Sequence, residues 1–208
     1  DLRSECESDR KITCIPISYK SKTYLKNYIC ENELKCIYNL PISIRELNLD
    51  DSLVRYIPRK FINLRSLTLY THTFDFDNIP ICITELTIGA EYSDILCGWE
   101  DFDLSYLINL NSLTIYNINT ATIRDLPDNL KKLYILNTNE NLIILSLPNN
   151  LEILEIESCI GNSDIKCKLP PNLKKINCNY ARLQNMQKLL QYIPLQLHTL
   201  IYKYHEQI

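Results

Sequence analysis

Apolar and polar residues alternate along this chain in a recurring phrase, L-x-x-L-x-L, usually with a proline shortly before it. The phrase runs over residues 44–49, 64–69, 83–88, 110–115, 130–135, 151–156, 173–178 and 197–202. Successive copies begin 20, 19, 27, 20, 21, 22 and 24 residues apart, and a degenerate copy occupies 25–30. Alternation of period two describes a short strand with one face buried. A unit this small has too little apolar surface to fold alone, so units must stack and bury their leucines against one another. The expected result is an α/β-type repeat solenoid with a parallel sheet along one side. A unit of this length leaves roughly ten residues for the return path, too few for a full helix with its turns. Extended or 3₁₀ segments are therefore expected there, with Pro fixing φ outside each strand. One helix is expected near the C-terminus, where Leu183, Met186, Leu189, Leu190 and Ile193 recur at helical spacing between Ala181 and Ile193.

Over residues 25 to 202 this pattern resembles the leucine-rich-repeat family. It is similar to the short, Pro-containing repeats of bacterial effectors (L-P-x-x-L-x-x-L) and to FNIP-type repeats of amoebae and giant viruses. Phe76-Asp77-Asn78-Ile79-Pro80 and Glu85-Leu86-Thr87-Ile88-Gly89 carry the second likeness. The resemblance implies a horseshoe with the sheet on its concave side and a mostly extended or 3₁₀ convex side. It also implies that residues 1–38, with Cys6, Cys14, Cys30 and Cys36, are a Cys-rich N-terminal cap, and that 39–208 form the repeats of a single structural domain. Four cysteines permit three pairings, which stay open. The family's asparagine after each strand is not regular here; Asn137 and Asn179 are expected to fill its role locally.

Composition narrows the function. Apolar residues make up 46% and charged residues 23%, the balance of a folded protein. A net charge of −3 and no concentrated basic face argue against nucleic acid as partner, and no apolar run approaches a membrane span. Ile, Asn, Lys and Tyr are abundant and Gly is rare, as an AT-rich genome would give. Nine cysteines without metal motifs, in a chain beginning at Asp1, suggest a mature protein from an oxidising compartment. The absence of any Asn-x-Ser/Thr site points instead to cytoplasmic production or an unglycosylated product. Disulfide candidates are Cys6, Cys14, Cys30, Cys36, Cys82, Cys97, Cys159 and Cys167; Cys178, at an apolar strand position, is expected as a buried thiol.

No catalytic signature is present: no G-x-S-x-G, phosphate-cradling loop or H-E-x-x-H, and neither a metal nor a cofactor is expected. The expected partner is a protein, bound by a monomer or weak dimer. Non-leucine strand positions point outward, and there Tyr70, Tyr116, Tyr134, Leu136 and Ile153 gather beside Lys132, Glu155 and Glu157. Aromatic and aliphatic groups ringed by charge are the stuff of binding hot spots. An insertion over Glu91–Ser105 brings Cys97 and the single Trp99, either packed on the convex side or projecting as a second, disulfide-tethered binding loop. Two functions are thus expected: a secreted binder of a host or cell-surface protein, such as a viral or parasite immune modulator, or a cytoplasmic FNIP-like adaptor.

Overall fold

A computed structural model describes residues 40–50, 57–70, 76–89, 98–99, 103–117, 120–137, 142–157, 162–179, 182–183 and 191–203. The chain is a parallel β-solenoid. Each repeated phrase supplies one five-residue strand: β1 (Glu46–Asp50), β2 (Ser66–Tyr70), β3 (Glu85–Gly89), β5 (Ser112–Tyr116), β7 (Lys132–Leu136), β9 (Ile153–Glu157), β11 (Lys175–Asn179) and β13 (Thr199–Lys203). They form one parallel sheet in chain order, in a register that sets Leu47, Leu67, Leu86, Leu113 and Leu133 side by side. The return path is extended, as its length required. Its short strands β4 (Gly98–Trp99), β6 (Thr120–Ile123), β8 (Leu142–Ile144), β10 (Asn162–Ile165) and β12 (Arg182–Leu183) pair into a second parallel sheet.

The core is built from the same two positions in each repeat from β1 to β11. Leu67 and Leu69, Leu113 and Ile115, Leu133 and Ile135, and Leu154 and Ile156 are all fully buried, joined by Ile123, Leu142, Ile144 and Ile165 of the second sheet. Each such side chain contributes about 1.5–3 kcal/mol by leaving water. Because it buries against the repeats on either side, stability is shared between neighbours rather than held by one unit.

Proline sets the corner before most strands of the large sheet. The carbonyls of Pro41, Pro80, Pro127, Pro148, Pro170 and Pro194 each accept from the N–H three residues on, the first leucine or isoleucine of the phrase. Pro58 does the same for Phe61, whose carbonyl then accepts from Leu64. The 27-residue interval has no proline at this point and makes two such turns in succession, Leu104 to Leu107 to Leu110. After β5 and β7 the chain turns through Asn117 and Asn137 at φ 51° and 55°. Asparagine tolerates this left-handed region, and their N–H groups extend the ladder to Leu136 O and Glu157 O. Asn137 thus follows its strand and turns the chain through its backbone. Asn179 is instead the last residue of β11.

A second asparagine position escaped the sequence reading. Asn63, Asn109, Asn129, Asn150 and Asn172 each precede the first leucine of a phrase. Each donates its Nδ2 to a carbonyl of the preceding repeat (Ile42, Ile81, Ile108, Asp128 and Asn149) at 2.9–3.2 Å. Cys82 stands at the same position, and its Sγ donates to Phe61 O at 3.3 Å. These bonds rivet one corner to the next. Asn129→Ala is expected to lower stability by about 0.5–1 kcal/mol, since the abandoned Ile108 carbonyl regains water. A urea midpoint unchanged from wild type would show that the ladder is incidental.

Three expectations need correction or fall outside the described residues. Cys82 and Cys167 are not bridged. Cys82 is committed to the corner ladder, and the partner expected for Cys167, Cys159, lies outside the described residues, as do Cys6, Cys14, Cys30, Cys36, Cys97 and the whole cap. Cys178 carries a reduced, fully buried thiol. Of the expected helix over 181–193, Arg182–Leu183 is a strand and 191–192 a turn; 184–190 lie outside the described residues. Among the described residues the only helical element is a 3₁₀ turn, Phe76–Asn78, and no helix is long and apolar enough to cross a membrane.

Candidate functional site

Strand alternation turns two or three residues of every repeat away from the core, so the outward face of the eight-stranded sheet is a grid. Its columns are neighbouring repeats and its rows are fixed by register. The strand residues singled out in the sequence as a binding face all fall on this grid. Lys132 is exposed, and Tyr70, Tyr116, Tyr134, Leu136, Ile153, Glu155 and Glu157 are half-buried. The row Tyr70, Gly89, Tyr116, Leu136, Glu157 is continuous across β2, β3, β5, β7 and β9.

Gly89 gives this row its shape. With no side chain between them, Tyr70 and Tyr116 lean together across β3, ring centroids 6.4 Å apart and planes at 77°. This edge-to-face geometry is the one aromatic quadrupoles favour. Gly89 lies buried between them. A Cβ built there would sit 2.4 Å from Tyr116 O, so the strands can approach this closely only at glycine. Beyond Tyr116 the row continues into Leu136, directly in register with it.

The neighbouring row is polar and tied down. Tyr134 lies opposite Glu155, and Glu155 opposite Asn177. Lys175 Nζ meets Glu155 Oε1 at 2.6 Å, and Asn177 Nδ2 donates to Glu157 Oε1 at 2.7 Å and to Glu155 Oε2 at 3.4 Å. The hydrogen bond from Lys175 to Glu155, more than the carboxylate's charge alone, holds the ammonium above its usual range. Just before these strands, the Lys174–Glu152 pair at 2.7 Å draws the Glu152 carboxyl below its usual range, chiefly through that hydrogen bond. Lys175 and Asn177 were not singled out in the sequence. The signal was there, since both stand one repeat on from Glu155 on the same face.

Trp99 takes no part in this grid. Its backbone lies in β4, the end strand of the second sheet, in register with Ala121 of β6. The rest of the expected insertion, 91–97 and 100–102, lies outside the described residues.

What the face offers chemically is contact. Phenol rings and aliphatic groups stand beside one fixed ammonium and carboxylates already bonded to their own sheet. Among the described residues no three His, Cys, Asp or Glu side chains gather as a metal site would require. No protein-family model matches this chain, and neither a curated protein nor a solved structure is significantly similar to it.

Proposed function

We propose that this chain is a leucine-rich-repeat protein that binds another protein through the outward face of its eight-stranded sheet, without catalysis. The observation that carries the reading is the apolar row from the Tyr70–Tyr116 pair to Leu136, flanked by Tyr134 and Ile153. Rigid aromatic anchors lose little conformational entropy on binding, and the surrounding Lys132 and Lys175–Glu155 supply a charged rim. The glutamates act within the rim by orienting Lys175 and Asn177. In this reading the sheet face is the concave side of a horseshoe and the partner is a host or cell-surface protein, met outside the cell by a viral or parasite product.

Site-specific photo-cross-linking tests the reading. A photoreactive side chain replacing Tyr134 is expected to capture a discrete partner from cell-surface and soluble extracts. One replacing Leu145, which is exposed just past β8 of the second sheet, is not. Capture from position 145 alone would move the binding surface to the other side of the solenoid.

A second reading, the cytoplasmic FNIP-like adaptor, is favoured by the reduced thiols of Cys82, Cys167 and Cys178. With nine cysteines in all, six are left to decide between the two. Alkylation and intact mass should find three thiols and three bridges in the secreted protein, and nine thiols in the adaptor.

A further inference from the structure

The corner before each strand of the large sheet is a four-residue turn whose second residue is exposed. In the turns 41–44, 61–64, 80–83 and 107–110 the last N–H donates to the first carbonyl. The second residue of all four is isoleucine: Ile42, Ile62, Ile81 and Ile108, exposed by 58%, 66%, 58% and 59%. Such positions ordinarily go to Pro, Asn, Asp or Ser. The next three repeats follow that rule with Asp128, Asn149 and Pro171. The fold therefore asks for no apolar residue here, and four β-branched ones in succession need another reason.

The four stand side by side. Backbone bonds from Arg65 N to Arg45 O, Thr84 N to Arg65 O and Asn111 N to Thr84 O hold successive corners in step. The Asn63 and Asn109 amides tie the same corners at Ile42 O and Ile81 O. At about 4.8 Å per strand, the isoleucines make a ridge on the order of 14 Å long. Single exposed apolar residues mean little, but a contiguous row marks a contact.

We infer that this ridge is an interface between two copies of the chain, packed ridge on ridge and antiparallel about a two-fold axis between Ile62 and Ile81. Charge selects this partner and this direction. On one side of the ridge Arg45 and Arg65 are followed, one corner on, by neutral Thr84 and Asn111. On the other side exposed Arg59 precedes Ile62, and exposed Asp77 precedes Ile81. Antiparallel packing lays Arg45 and Arg65 over Asn111 and Thr84 of the other copy and brings Arg59 toward its Asp77, twice. Parallel packing would set Arg65 against Arg59, and like charges so placed repel.

The area is sufficient. The four side chains expose on the order of 450 Å², within the range of the largest patch a monomer carries. An interface is about 57% apolar overall, so this patch is the apolar share of about 800 Å² per copy, the standard size. The ridge lies at the corner, off the outward grid from Tyr70 to Asn177, so the inference stands whether or not that face binds a partner.

Light scattering during size-exclusion chromatography tests the inference on the 208-residue chain. The expected mass is twice the 24.4 kDa of one copy. The double variant Ile62→Ser, Ile81→Ser should raise the dimer dissociation constant at least about a hundredfold, since four central contacts are lost. Its far-ultraviolet circular dichroism should match wild type, because both side chains are exposed. Arg59→Asp should weaken the dimer roughly tenfold by opposing like charges across the axis, and Tyr134→Ala, Leu136→Ala should leave it intact. A mass of one copy at every concentration would overturn the proposal. So would a dimer that survives the isoleucine variant, one indifferent to Arg59→Asp, or one dissolved by the Tyr134, Leu136 variant, which would mean that the copies meet through the grid.

Discussion

Gly89→Ala is expected to lower the stability of this protein by about 2–3 kcal/mol, a large effect for one methyl group on the solvent side of a sheet. The added Cβ would stand 2.4 Å from Tyr116 O and 3.0 Å from Tyr116 Cβ. The obstacle is backbone, so no rotamer change relieves it. Strands β3 and β5 must part by about an ångström, weakening a ladder that runs in register from Glu85–Ser112 to Gly89–Tyr116. Because repeats share their core with their neighbours, the disturbance reaches Leu113 and Ile115 beneath. The cost corresponds to a fall of roughly 4–12 °C in the thermal midpoint of a chain this size. The same change should pry apart the Tyr70–Tyr116 pair, which near-ultraviolet circular dichroism reads independently. A midpoint within a degree of wild type would mean that the strands are farther apart here than described.

Much of the solenoid was legible in the sequence because its rules are local and repeat. Period-two alternation placed Leu67, Leu69, Leu113 and Ile115 inward and Tyr70 and Tyr116 outward, and the short period forced an extended return path. Proline before most phrases marked the corners where its carbonyl accepts. What stayed hidden depends on contacts between repeats. The Asn63-to-Asn172 ladder lies just before the strands, whereas an asparagine was sought after them. Reading the column before each first leucine would have found it, and would have placed Cys82 in that ladder instead of in a disulfide. The Tyr70–Tyr116 contact required knowing that Gly89 falls between them in register. The Lys175–Glu155 pair likewise joins residues 20 apart that only stacking brings together. Helical spacing over 181–193 misled at both its ends, because Arg182–Leu183 is drawn into the second sheet by pairing with β10.

If the outward sheet face does the binding, truncating its anchors must weaken affinity. Tyr134 and Leu136 are half-buried on β7, with their side chains outside the core, so truncating both removes contact area without opening a cavity. Aromatic and aliphatic anchors at an interface centre each cost from about 1 to 2 kcal/mol or more when cut to alanine. By calorimetric titration with the partner captured at position 134, the Tyr134→Ala, Leu136→Ala double variant should bind at least tenfold more weakly, about 1.4 kcal/mol. Leu145→Ala, on the second-sheet side, should bind as wild type does. An unchanged dissociation constant for the double variant, with a weakened one for Leu145→Ala, would place recognition on the opposite side of the solenoid.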